Sequence, residues 1–201
     1  MDIDQVVQNL NKRRFLAKRF ATAAEAKAEM LSIIGTGSVG IGGSNSVNGT
    51  GIYETLREQG NTVYCHTFVP KEEKPAMRRA AMGADVYLCS ANAVTEGGLI
   101  VNIDGTGNRV AATIFGPKTV IMLVGKNKLV KNVEEGIART KRDCCPRNSR
   151  RIGVNTPCAA TGECHDCSGE ARMCNATIIH EYPTRNVQAF YVLIVDEELG
   201  W

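Results

Sequence analysis

Thr119-Val120-Ile121-Met122-Leu123-Val124 is an unbroken apolar run after its first residue, and Ala189-Phe190-Tyr191-Val192-Leu193-Ile194-Val195 is a second of the same kind. A strand with one face in water alternates polar and apolar side chains, whereas a strand covered on both faces reads as a continuous run. Shorter runs occur at Thr62–Cys65, Val86–Cys89 and Leu99–Ile103, and Val39 and Ile41 form the strand-like centre of the glycine-rich stretch 35–44. Helical patterns lie between them at Glu72–Met82 and Val130–Arg142, with a further helix through Ile52 and Leu56. Strands that alternate with helices predict a mostly parallel, open sheet with helices on its faces, which places the chain in the α/β class.

Towards the N-terminus, Ile3, Val6, Val7, Leu10, Phe15, Leu16 and Phe20 approximate one apolar stripe and predict an opening helix. Thr22-Ala23-Ala24-Glu25 matches a capping box, in which hydroxyl and carboxylate each satisfy an amide at a helix start, so a second helix runs to about Ile34. Gly35-x-Gly37-x-x-Gly40 precedes or occupies the strand instead of following it, which discounts a dinucleotide fingerprint. Gly42-Gly43-Ser44-Asn45-Ser46 stands at a strand end leading into a helix, where amides and hydroxyls suit an anion, although general turn frequencies favour a plain tight turn.

At 201 residues the chain fits a single domain over 1–201, and apolar and charged fractions of 43% and 22% are ordinary for a globular protein. A net charge of +3 is too small to imply a nucleic-acid partner. No apolar run approaches the roughly 20 residues that span a bilayer. The acidic start, Met1-Asp2-Ile3-Asp4, does not resemble a secretory signal, so the expected location is cytoplasmic. In a reducing compartment eight cysteines are read as metal ligands or redox groups before disulfides.

Six of the eight fall within residues 143–175, a stretch with few apolar side chains that has little to pack a core with. Cys158-x5-Cys164-x2-Cys167-x6-Cys174 puts four thiols within seventeen residues, and a metal centre would order such a segment. Zinc sites usually show two close pairs and only Cys164 and Cys167 form one here, while neither common ferredoxin spacing is reproduced. A metal on these four thiols is expected, either an iron-sulfur cluster of the 4Fe-4S type or zinc. Arg147, Arg150, Arg151 and Arg172 either offset the thiolates' charge or form a solvated basic surface. Cys144, Cys145 and His165 are reserves for a ligand or redox role, and Cys65 and Cys89 read as small buried hydrophobes.

Among the loops, Glu96 in Thr95-Glu96-Gly97-Gly98 is expected at a strand's carboxyl edge, where ligands favour open α/β sheets. Asp104-Gly105-Thr106-Gly107-Asn108-Arg109 and Gly116-Pro117-Lys118 add polar turns. If these loops converge, Glu96 serves as nucleophile or base, with Asn108 and either Arg109 or Lys118 holding an anion. A hairpin turn with solvated charges is the competing reading.

Val39-Gly-Ile-Gly-Gly-Ser44, Ala93-Val-Thr-Glu-Gly-Gly98, Gly107-Asn-Arg109, Ile114-Phe-Gly-Pro-Lys118, Val124-Gly-Lys-Asn-Lys128 and the cysteines from Thr156-Pro-Cys158 to Asp166-Cys167 together resemble the LUD-domain family of lactate-utilisation proteins. The resemblance implies an open Rossmann-like sheet similar to the sugar-phosphate isomerase and coenzyme A transferase group. It also implies a link to lactate oxidation through iron-sulfur partner proteins, and it weighs towards iron in the cysteine segment. Two functions follow as expectations. The first is a redox or electron-transfer accessory protein that binds a small organic anion and a redox partner protein, as a possible homodimer. The alternative is a transferase or isomerase using Glu96, with a structural zinc clip.

Overall fold

A computed structural model describes residues 1–201. In chain order the elements are α1 (Ile3–Lys12), β1 (Leu16–Phe20), α2 (Ala23–Ile34), β2 (Val39–Ile41), α3 (Asn45–Asn48), α4 (Ile52–Glu58), β3 (Val63–Cys65), α5 (Lys74–Met82), β4 (Val86–Cys89), β5 (Ala93–Thr95), β6 (Ile100–Asp104), α6 (Asn108–Ala112), β7 (Thr119–Gly125), β8 (Leu129–Val130), α7 (Val133–Arg139), α8 (Cys145–Ile152), α9 (Pro157–Thr161), β9 (Ala176–His180) and β10 (Ala189–Val195). The two long apolar runs are β7 and β10. They lie side by side in a six-stranded sheet of order β1-β10-β7-β4-β2-β3, and every pair in it is parallel.

The two runs stay apolar throughout because the pleat sends successive side chains to opposite faces, and both faces are covered. Val120, Met122 and Val124 of β7 and Phe190, Val192 and Ile194 of β10 enter one core cluster with Val6 and Leu10 of α1. Ile121 and Leu123 of β7 and Leu193 and Val195 of β10 enter the other, with Ala26 and Met30 of α2 and Ile52 and Leu56 of α4. Each such side chain contributes roughly 1.5–3 kcal/mol when fully buried, so a polar residue on either face would be costly. Gly40 has a separate reason for its identity: a Cβ there would collide with the Ala81 carbonyl and the Tyr87 ring, so α5 packs on β2 only over a glycine.

The capping box forms, with the Glu25 amide donating to Thr22 Oγ1 at 3.2 Å and the Thr22 amide to the Glu25 carboxylate at 3.4 Å. The opening stripe is corrected: α1 stops at Lys12, and Leu16–Phe20 is an edge strand paired with β10. Arg14 takes a left-handed conformation at φ 67°, and the Asn11 side chain bonds both the amide and the carbonyl of Ala17, which fastens the helix end to the strand.

Leu99–Ile103 is a second correction to the parallel expectation. That run becomes β6 of a separate four-stranded sheet, β8-β5-β6-β9, where it pairs antiparallel with both neighbours. The predicted helix Val130–Arg142 is cut to Val133–Arg139 and passes through a π-helical turn, Thr140–Cys144, into α8. Residues 143–175 are therefore less irregular than expected, since α8 and α9 occupy much of them. The longest helix, α2, has 12 residues, and no helix is long and apolar enough to cross a membrane.

Candidate functional site

Parallel strands all end on one side of their sheet, so the loops that leave them gather along that edge. Gly43, Ser44, Asn45 and Ser46 come after β2, His66 after β3, Ser90 and Asn92 after β4, Lys128 after β7, and Gly200 and Trp201 after β10. They line a cleft of about 190 Å³, closed at the sides by Arg78 of α5, Asn108 and Arg109 at the start of α6, and Asn148 and Arg151 of α8. The volume lies below the roughly 300–1,000 Å³ of pockets for drug-sized ligands, which suits a ligand of a few heavy atoms.

Electrostatically the cleft is positive. Arg78, Lys128 and Arg151 face it without any carboxylate at ion-pair distance. Arg78 Nε is buried with no hydrogen-bond partner, and Arg151 donates only to Asn148 Oδ1. Lys128 is 3% exposed; its Nζ donates to Ser46 Oγ at 2.6 Å and Ser90 Oγ at 2.8 Å. Burial pushes its pKa down to about 7 against the opposing influence of Cys144, and the cations Arg139 and Arg109 add smaller downward contributions. His66 is held down at about 4 by burial and by Arg78, Lys74 and Arg151, so its ring is neutral at pH 7.

Arg109 has a different occupation from the expected anion clamp. Its guanidinium donates to Asp104 Oδ1 at 2.6 and 2.8 Å, to Asn102 Oδ1 at 2.7 Å, to Asn92 Oδ1 at 2.8 Å and to the carbonyls of Ser90 and Ile103. All its donors are spent on tying the end of β4 to β6, which builds the cleft wall. Asp104 completes the knot by accepting the Val110 amide at 3.0 Å.

Of the residues singled out in the sequence, Gly43, Ser44, Asn45, Asn108 and Arg109 come together at the cleft, with Gly42 directly behind them and its amide bonded to the Leu88 carbonyl. Glu96 and Lys118 do not converge with them. Glu96 is exposed on the β5–β6 turn, where its backbone is tied to Val130 and to Asn9 of α1. Lys118 precedes β7 and so stands at the amino edge of the sheet, opposite the cleft. The parallel sheet decides the place of Lys118, and the antiparallel β5–β6 hairpin of the second sheet decides that of Glu96; no local pattern carries either. Lys128 had no role assigned from sequence, and nothing in the local pattern sets it apart from a surface lysine.

A second, smaller cavity of about 20 Å³, room for about one water, adjoins the first, and Cys145 and Met173 line both. Around it stand Cys158, Cys164, Cys167 and Cys174 together with Cys145, His165, Asp166, Lys141 and Arg172. The two vicinal cysteines part company here. Cys145 Sγ lies 3.1 Å from Cys174 Sγ, whereas Cys144 turns away to donate to the Trp201 carbonyl and accept from Arg139. The thiol contact from Cys145, with Arg172 and Lys141 alongside, lowers the Cys174 pKa to about 7 and raises that of Cys145. His165 Nε2 bonds Thr161 Oγ1 at 2.8 Å. In kind this donor set is that of a soft-metal or iron-sulfur centre. In arrangement, no three His, Cys, Asp or Glu side chains are gathered so as to hold a metal ion.

A family model described as the LUD domain matches residues 3–195. No curated protein sequence matches the chain. Among solved structures, the crystal structure of a DUF162 family protein from Deinococcus radiodurans superposes with a TM-score of 0.59 at 16% identity, covering 96% of this chain and 95% of that one. At that identity the likeness concerns the fold.

Proposed function

This chain belongs to the LUD-domain family, and on that premise we propose that it binds a small organic anion at the carboxyl edge of its parallel sheet and serves as a redox accessory protein of lactate utilisation. The observation that carries the reading is the pair of arginines, Arg78 and Arg151, that face one small cleft beside the buried Lys128 with no carboxylate at ion-pair distance. The Arg78 Nε is buried without a hydrogen-bond partner, which is costly, and a carboxylate ligand removes that cost. Arginines bind the carboxylate in bidentate fashion, while Ser44, Asn45 and Asn108 offer hydrogen bonds to a hydroxyl or keto group.

The redox half of the proposal places a 4Fe-4S-type cluster on Cys158, Cys164, Cys167 and Cys174, with Cys145 as a fifth thiol in reach. Such a cluster supplies one-electron transfer. Support comes from the convergence of five thiols on one cavity and from the wall, Cys145 and Met173, that it shares with the anion cleft. Arg172 and Lys141 lie where they would offset thiolate charge.

Two measurements test the halves separately. Anaerobic purification with iron and sulfide analysis and visible absorbance should find a coloured protein with about four irons per chain; a colourless protein with stoichiometric zinc removes the redox role. Titration calorimetry with lactate and with pyruvate should show binding that Arg78→Ala weakens at least about tenfold, the loss expected for a charged hydrogen bond of 1.5–3 kcal/mol. Equal binding by the variant would remove the cleft as the anion site.

A further inference from the structure

Lys128 is the one cation of the cleft whose hydrogen bonding distinguishes its protonation states. Ser46 donates its hydroxyl proton to the Leu199 carbonyl at 3.0 Å, and Ser90 donates to the Leu123 carbonyl at 2.6 Å. Both hydroxyls therefore present only lone pairs to Nζ, and they are its two partners. An ammonium has three N–H donors, and one would be left without an acceptor in a site that is 3% exposed. A neutral amine has two N–H donors and one lone pair. Here both donors are satisfied and the lone pair is left over, on a side chain that lines the cleft.

From this geometry we infer that Lys128 is a carbonyl-capturing nucleophile, whose Nζ condenses with the keto group of a small 2-oxo acid held in the cleft. The inference rests on the reading of the cleft as an anion site and names its ligand class: the amine recognises the carbonyl, and Arg78 and Arg151 recognise the carboxylate. The nitrogen lone pair adds to the keto carbon while the C–O π pair moves to oxygen, and a proton passes from nitrogen to that oxygen to give a carbinolamine. The hydroxyl then leaves with the remaining N–H proton as water, giving an imine, and no oxidant or reductant is consumed. Burial beside other cations favours the neutral amine, as in other lysines that form imines. With its pKa near 7 in place of 10.5, the neutral fraction of Lys128 at pH 7 exceeds that of an exposed lysine by about a thousandfold.

The test is reductive trapping on the full chain. Wild-type protein is incubated at pH 7 with pyruvate and sodium cyanoborohydride, then analysed by intact mass and peptide mapping. One reduced adduct is expected, on Lys128, at an occupancy at least about tenfold above that of exposed lysines such as Lys71, Lys126 or Lys131. Acetone, which has the carbonyl but no carboxylate, should label Lys128 less than about one tenth as well, and Lys128→Arg should abolish the labelling. No adduct, or one scattered over surface lysines, overturns the inference, and mapping on the wild type settles this even if the variant fails to fold. Pyruvate binding by calorimetry without an adduct would leave the anion site standing and remove only the nucleophile; neither binding nor adduct would remove both.

Discussion

The cleft and the thiol cavity share Cys145 and Met173 as a common wall, yet the side chains around them stand on different foundations. Lys128, Ser90 and Ser46 come after strands whose inward residues, among them Val120, Met122, Leu88 and Ile41, are fully buried, and Arg109 ties the end of one of them, β4, to β6 through six hydrogen bonds. Cys158, Cys164, Cys167 and Cys174 stand on a five-residue helix and the loop after it, and Cys164 is exposed. The contrast teaches which property each region can lose. A change at the cleft is felt by the core beneath it, whereas a change among the thiols leaves that core untouched.

The largest expected effect is on Arg109. Arg109→Leu leaves the carboxylate of Asp104 and the amides of Asn92 and Asn102 without their shared partner in a buried site, and urea unfolding should show a loss of about 3–5 kcal/mol. A loss below about 1 kcal/mol would mean that the cleft wall does not depend on this knot. Gly40→Ala should come next. Its Cβ meets backbone at Ala81, and forcing α5 off β2 should cost about 2 kcal/mol in the same assay.

Acid should act on the buried His180, whose Nε2 donates to Thr113 Oγ1, because Thr113 spends its own proton on the Val110 carbonyl. Burial, with Arg109 nearby, holds the ring at about 4, below its usual 6.5, so the unfolded chain binds the proton more readily than the folded one. Stability is then present above pH 6.5 and is lost as pH falls from 6.5 towards 4, by about 3 kcal/mol. His180→Phe should flatten that part of the profile; an unchanged profile would assign the acid sensitivity elsewhere. Lys128 has the same sign at higher pH. Its folded pKa lies below the unfolded 10.5, so stability should rise with pH between about 7 and 10.5, and Lys128→Met should remove that slope. Cys164→Ser is the smallest perturbation to the fold. It should leave urea unfolding unmoved and yet lower the iron content of anaerobically purified protein; an altered unfolding midpoint with iron intact would reverse the comparison.

Much of the sheet was legible from residue type because burial on both faces leaves a local trace. The runs at Thr119–Val124 and Ala189–Val195, the short strand at Val39–Ile41 and the Thr22–Glu25 cap all depend on neighbours within a few residues. Leu16–Phe20 left no such trace. Its apolar residues also fit a helical stripe, and only pairing with β10, at the far end of the chain, makes it a strand. Ala93–Thr95, Leu129–Val130 and Ala176–His180 are no longer than it, and each becomes a strand through its place in the second sheet. In the cleft, Ser44, Asn45 and Asn108 could be found from turn chemistry. Lys128 could not be told from a surface lysine, because what distinguishes it is the burial of its Nζ between Ser46 and Ser90.

By itself, then, the sequence determined the class of fold, the two-sided burial of its central strands and the clustering of its thiols, since all three rest on periodicity, composition and spacing along the chain. Tertiary structure alone decided that Glu96 and Lys118 stand apart from the cleft, that Arg109 is consumed in holding its wall, that Cys145 joins the thiols while Cys144 turns away, and that Lys128 is buried between Ser46 and Ser90. Each of these depends on which strand ends lie side by side and what they enclose, and pairing between distant parts of the chain leaves no mark on the local pattern.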